Sequence, residues 1–205
     1  MKQQKKTART KERILNASMQ EFGKKGYVQT TINGICTKYD IPKGLIYHNF
    51  KGKDNLYLIC LEKVYSGFIM FLKEMKEPIT MQQYMQRRLD FFSEHPLYAR
   101  LFFESILHPP ENLVMQIKEL KKEFDVLNQR IYRASLSEIT LRDGVSYEDA
   151  MEYYAMMQEM FNAFFSSPAF SEDHFEYVVK SHEEQLARFL DYMVYGLAEK
   201  ERSNK

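Results

Sequence analysis

Cysteine is scarce: Cys36 and Cys60 are too few and too isolated among 205 residues for a disulfide framework or a zinc site. Both are expected to be buried free thiols. Long apolar runs are missing too. Runs such as residues 67–72 are far short of a membrane span, and the N-terminus lacks the apolar core of a signal peptide, so the chain is expected in the cytoplasm, with no membrane partner. There is no glycine-rich phosphate loop, metal-ligand cluster or nucleophile motif, and the five histidines are scattered without a paired acidic motif. His95 and His108 are not spaced as ligands on one helix, which would stand three or four residues apart. No catalytic residue, cofactor or metal is expected, and an enzyme is set aside.

Acidic residues are sparse at one end only. Residues 1–53 hold 12 Lys and Arg against 3 Asp and Glu, while residues 54–205 hold 17 against 25. A net charge of +1 is therefore +9 followed by −8. DNA responds to local charge, and a basic N-terminal quarter is the footprint of phosphate binding. The change of sign places a domain boundary at residues 53 and 54.

Within the basic part, residues 30–50 read as two short helices and a turn. Thr31 is a good N-cap, and Ile32, Ile35 and Cys36 recur at the spacing of one buried helix face. Asp40 falls where the chain must turn sharply, and Asp tolerates the left-handed conformation better than most residues. Pro42 suits a first helical position, with Leu45, Ile46 and Phe50 on the apolar side of a second helix. Lys43, Gly44, Tyr47, His48 and Asn49 are left outside, a short, polar, partly basic face suited to a major groove. An ordinary helical hairpin is the competing reading of these residues alone. Ahead of them, Ile14, Leu15, Ser18, Met19 and Phe22 form a helical stripe over residues 11–22 that Gly23 and Gly26 should end. Residues 1–9 are polar and basic and are expected to be a flexible arm.

Residues 10–56 carry an Ile-Leu-x-Ala helix, Phe22-x-x-x-Gly26-Tyr27, the pair Thr30-Thr31, and Lys43-Gly44-x-x-Tyr47-x-x-Phe50-x-x-Lys53. In these motifs and spacings the chain resembles the DNA-binding domain of TetR-family transcriptional regulators. The resemblance implies that Lys43, Gly44 and Leu45 face base edges, that His48 reaches bases or phosphates, and that Thr31, Tyr47 and Lys53 hold the backbone. There are departures. Tyr39 and Asp40 stand where the family has a small residue and Gly, Pro42 where Ser or Thr often opens the recognition helix, and Asn33 where many members carry Arg.

The remainder reads as helices divided by Pro78, Pro96, Pro109, Pro110 and Pro168. The fold class is all-α, about nine helices: a three-helix DNA-binding domain over residues 1–53 and a larger ligand-binding and dimerisation domain over 54–205. A long helix from about residue 54 to 76 should join them. Twelve Met, 15 Phe and 14 Tyr, concentrated after residue 56, suit an adaptable pocket for an apolar or aromatic effector and equally an ordinary core. Candidate lining residues are Phe68, Leu72, Met85, Arg88, Leu89, Phe92, Phe102, Leu120, Phe124 and Met157. Arg88, in the middle of an apolar stripe, either snorkels or pairs with a Glu, or lines a pocket for an anionic ligand. A single helix is expected over residues 111–133.

The two last helices are the most regular, and the first of them is apolar nearly all round. Two such helices from each of two subunits would make a four-helix interface, which the resemblance also implies; its expected residues are Tyr154, Phe161, Phe175, Val179, His182, Leu186, Phe189 and Met193. The function expected is a homodimeric, ligand-responsive repressor on a near-palindromic operator. A regulator without a small-molecule inducer, under protein or redox control, and a helical adaptor stay open as alternatives.

Overall fold

Among the described residues there are ten α-helices and a 3-10 turn at Glu111–Leu113, with no β-strand. The structure is a computed structural model that describes residues 2–76, 79–167, 170 and 175–197, with side chains from residue 7 to residue 196. In order these are α1 (Lys2–Gln29), α2 (Ile32–Tyr39), α3 (Lys43–Asn49), α4 (Lys53–Lys73), α5 (Met81–Glu94) and α6 (Pro96–Leu107). A 3-10 turn (Glu111–Leu113) then leads to α7 (Val114–Leu120), α8 (Lys122–Ser137), α9 (Tyr147–Phe165) and α10 (Phe175–Leu197). The all-α expectation is met. Pro78 and Pro168, expected as breaks, lie outside the described residues.

The chain packs as two compact units. One comprises Met1–Phe68 and Phe92–Lys121, the other Ile69–Phe91 and Lys122–Lys205. This division follows packing, whereas the boundary expected at residues 53 and 54 follows charge, and the two do not coincide.

In the first unit, α1 starts at Lys2, where a flexible arm over residues 1–9 is expected. Lys, Gln, Arg and Ala all favour helix, and no Gly or Pro interrupts before Gly23. Gly23 does not end the helix as expected. A Cβ there would stand 2.7 Å from the Leu97 Cβ of α6, so this glycine serves a close helix crossing. The helical path breaks only at Gly26, whose φ of 75° suits glycine. Phe22 and Tyr57 meet edge to face at 5.1 Å, and Phe68, Phe92, Phe102 and Phe103 form a buried aromatic cluster with neighbouring centroids 4.8–5.5 Å apart. Each such ring contributes about 1.5–3 kcal/mol by burial. α4 is long and apolar enough to cross a membrane by length and composition, but half of its most apolar window is buried within the protein.

The second unit is built from the end of α4, most of α5, and α8, α9 and α10. The helix expected over residues 111–133 is divided instead, with Lys121 (φ −85°, ψ −3°) closing α7 before α8 begins. No Gly or Pro marks that break. α9 opens on a capping box, in which Ser146 Oγ accepts from the Asp149 N–H at 3.0 Å and the Asp149 carboxylate accepts from the Ser146 N–H at 3.0 Å. Tyr132 and Tyr154 stack at 4.0 Å in the core of this unit.

Candidate nucleic-acid interface and ligand cleft

Three local signals set the geometry of α2 and α3. Thr31 is extended (φ −128°, ψ 150°), and its Oγ1 accepts from the Gly34 N–H at 3.0 Å, capping α2. Asp40 is left-handed (φ 49°, ψ 52°), and the Ile41 N–H donates back to the Cys36 carbonyl at 3.0 Å. Pro42 (φ −56°) stands at the N-cap of α3, one place before the first-turn position expected, and its carbonyl accepts from the Leu45 N–H at 2.9 Å. Ile35, Ile41, Ile46 and Phe50 are buried and hold the two helices together.

Leu45 is not on that apolar side. It is 39% exposed, and Ile41 takes the buried place instead. Lys43, Gly44, Leu45, Tyr47 and His48 form one exposed face of α3, with Thr31, Asn33 and Pro42 exposed nearby in sequence. A Cβ on Gly44 would meet nothing within 4 Å, so the face is open there. Lys43 Nζ lies 5.9 Å from the Tyr47 ring centroid, which orients both side chains on the same surface. Asn49 is half-buried and folds back on its own helix, its Nδ2 donating to the Leu45 carbonyl at 2.8 Å.

Two braces on α1 carried no recognisable sequence signal. The Arg13 guanidinium donates to the Tyr39 and Asp40 carbonyls at 2.9 and 2.8 Å, fixing the turn. Glu21, 1% exposed, accepts from Lys25 at 2.7 Å, Lys38 at 2.5 Å and the Tyr39 hydroxyl at 3.1 Å. Burial pushes its carboxyl up, but those three donors outweigh burial and hold it down at about 2. Lys53 is partly buried, with its ammonium 4.0 Å from the Tyr27 ring centroid and donating to the Val28 carbonyl at 3.5 Å. Burial lowers its pKa, with Asp54 and Glu104 opposing.

In the second unit Arg88 is 4% exposed and forms a bidentate pair with Glu183, at 2.7 Å from Nε and 2.6 Å from Nη2. Its Nη1 donates to the Tyr84 hydroxyl at 3.1 Å, and that hydroxyl donates to Asn128. His182 lies between Glu183 (3.2 Å) and Asn162 (3.1 Å). Burial works against each charge of the pair, but mutual attraction prevails, holding Arg88 protonated and Glu183 down at about 2. Of the readings of Arg88 the ion pair is the one observed, and its charge is already neutralised.

The other candidate lining residues fall in several places. Phe68, Phe92 and Phe102 belong to the aromatic cluster of the first unit, Leu72 and Phe124 are buried, and Leu120 and Met157 are half-buried on other faces. Of the candidates, Met85 and Leu89 alone line a cleft of about 1410 Å³ between α5, α8 and α10. Its apolar floor includes Ile79, Met85, Ile131 and Val194, and its rim carries Gln82, Gln86, Arg130, Glu138, Arg188 and Asp191. Sequence periodicity missed it because the rim residues lie off the apolar stripes.

The expected dimer seam is largely occupied within one chain. Tyr154, Phe161, His182, Leu186 and Met193 are buried in the second unit, and Phe175, Val179 and Phe189 are half-buried. The exposed stripe on α9 is a different one: Tyr153, Met156, Met160 and Phe164, at 38%, 51%, 57% and 53% exposure. On α10 the exposed large apolar side chains are Tyr177, Tyr192 and Tyr195. Among the described residues no group of three or more His, Cys, Asp and Glu could hold a metal.

Residues 14–59 match the family model described as bacterial regulatory proteins, tetR family. The chain is 27% identical over 154 residues to YerO, an uncharacterized HTH-type transcriptional regulator of Bacillus subtilis, covering 70% of this chain and 49% of YerO. The chain thus spans about half the length of that relative. It is 25% identical over 144 residues to IcaR, a negative transcriptional regulator of the biofilm operon icaADBC in Staphylococcus epidermidis, covering 70% and 69% of the two chains. Among solved structures it shares its fold with the regulator FadR of Bacillus subtilis, determined in complex with stearoyl-CoA, at a TM-score of 0.62 and 16% identity over 90% of this chain and 98% of that one.

Proposed function

We propose that this chain, a TetR-family transcriptional regulator, is a homodimeric repressor that acts in the cytoplasm on a near-palindromic operator and is released by a small apolar or aromatic molecule. The observation that carries the DNA-binding part is the open face of α3, where Lys43, Gly44, Leu45, Tyr47 and His48 all reach solvent at the basic end of the chain. In this reading Lys43, Gly44 and Leu45 read base edges, His48 reaches bases or phosphates, and Thr31, Tyr47 and Lys53 hold the backbone. The basic N-terminal domain over residues 1–53 binds DNA, and residues 54–205 bind effector and dimerise. A two-fold dimer sets its two α3 helices in successive major grooves roughly 34–36 Å apart, which is why the operator should be a near-palindrome.

The exposed stripe of α9, with Tyr177 of α10, is the surface this reading assigns to the dimer, in place of the residues buried inside each chain. The cleft of α5, α8 and α10 is its effector site, with an apolar floor for the body of the molecule. By linkage, effector and operator weaken each other equally, by about 1–3 kcal/mol. Native mass spectrometry of the purified chain should find a retained small molecule that Met85→Trp, filling the floor, displaces. Retention unaffected by that substitution would rule the cleft out.

Selection of binding sites from random duplexes tests the DNA reading. Wild-type chain should enrich a near-palindrome. Tyr47→Ala should weaken binding to every sequence, whereas Lys43→Ala should relax preference at its base pair by about 1–3 kcal/mol. Unchanged preference in Lys43→Ala would show that α3 does not read bases from this face.

A further inference from the structure

At the end of α1 the chain leaves its helical path at Gly26, and the next backbone N–H, that of Tyr27, donates to both carboxylate oxygens of Glu104 on α6, at 2.8 and 3.0 Å. The same carboxylate accepts from the Tyr57 hydroxyl at 3.0 Å, and Tyr57 is wholly buried on α4. One charged side chain therefore joins α1, α4 and α6. Gly26 leaves room for it: a Cβ there would stand 2.5 Å from Glu104 Oε1 and 3.2 Å from Arg100 Nη2. Burial raises the Glu104 pKa, while the Tyr27 N–H, the Tyr57 hydroxyl, Arg100 and Lys53 favour its charged form.

Tyr27 is also where groups assigned to the DNA face are tied down. Its carbonyl accepts from the Thr30 N–H at 3.3 Å, Thr30 Oγ1 donates to the Gly26 carbonyl at 2.7 Å, and Thr31 then caps α2. Its ring supports the Lys53 ammonium, and its hydroxyl donates to Asp54 at 2.6 Å. That hydroxyl is thus engaged within the protein.

We infer that Glu104 is a positioning residue for DNA binding, a latch that fixes the α1–α2 junction to α6, so that a displacement of α6 loosens the helix-turn-helix. The inference rests on the DNA-binding reading above. A bond at 2.8 Å has lost its normal geometry by about 3.5 Å, so a shift of α6 far smaller than one helical turn releases it. The latch also differs in sign from simple electrostatics. Removing an acid beside a DNA-binding domain strengthens phosphate binding by charge alone, whereas removing this one should weaken it.

The test compares Glu104→Ala, Glu104→Gln and Tyr57→Phe with the wild-type full chain, by operator affinity on the selected duplex and by hydrogen exchange at the Tyr27 amide. Glu104→Ala should lower operator affinity about tenfold and speed that exchange by a similar factor. Glu104→Gln, which keeps an acceptor for the Tyr27 N–H, should restore affinity to within about threefold of wild type. Glu104→Ala binding as tightly as wild type, or more tightly, overturns the latch. Should that variant not fold, Tyr57→Phe, which removes a donor to the same carboxylate, decides: it should speed exchange at the Tyr27 amide and lower operator affinity, and both at wild-type values overturn the latch. A wild-type chain that binds no duplex at all defeats the DNA reading instead, and the Tyr27 exchange then decides whether Glu104 holds the junction.

Discussion

The helix-turn-helix and helix α9 are both amphipathic segments, yet they left different traces in the sequence. In the first, local chemistry fixes each step: Thr31 caps, Asp40 turns, Pro42 restarts, and the short helices between them leave little freedom as to which side faces inward. In α9, Tyr153 and Tyr154 are neighbours, yet one is 38% exposed and the other 3%. Both lie on apolar stripes of correct period. Caps and turns act through bonds within a few residues, so they can be read from a few residues. Which of two apolar stripes is covered depends on partners far away in the chain.

The largest effect that would sharpen this contrast lies in the interior of the second unit. Arg88→Ala strands the buried carboxylate of Glu183 and should cost about 3–5 kcal/mol, while Arg88→Met with Glu183→Leu should recover most of that. Thermal unfolding of the three chains checks it. The same pair sets an acid limit. Because Glu183 and Glu21 are held at about 2 against an ordinary 4.5, their stabilisation is complete above pH 4.5 and is lost as pH falls towards 2. Denaturant midpoints should therefore fall over that window.

Next in size is the exposed stripe. Phe164→Glu should abolish the dimer in sedimentation equilibrium while leaving the unfolding temperature of the monomer nearly unchanged, a loss of about 2 kcal/mol or more at the interface. Leu186→Ala should do the reverse, lowering stability and sparing association. A dimer that survives Phe164→Glu would return the interface to the stripe buried here. Smallest is the turn: Asp40→Gly, which relieves a left-handed residue at φ 49°, should stabilise by about 0.5–1 kcal/mol, read from the denaturant midpoint.

The all-α class, the positions of α2 and α3 and the open polar face of α3 were legible in residues 30–50, because Thr, Asp and Pro act on their own backbone. Leu45 was ambiguous, since seven residues make two turns and the inner position could be filled by Leu45 or by Ile41 from the turn. Gly23 was misread as a helix end, because a glycine needed by the distant Leu97 looks the same in sequence as one needed for a turn. Arg88 was placed correctly on a buried stripe, but its partner Glu183 is 95 residues away and nothing near either announces the pair. The cleft was the least legible feature, since it is enclosed by three helices whose lining residues alternate between apolar floor and charged rim.

The most direct test of the proposed function is a titration of the selected duplex with wild-type chain at a series of salt concentrations, with stoichiometry read in parallel. Two chains should bind one duplex in preference to random sequence, with affinity falling steeply as salt rises, by about 0.9 in log–log slope for each phosphate neutralised. Binding that ignores sequence and salt, or no binding at all, would contradict it.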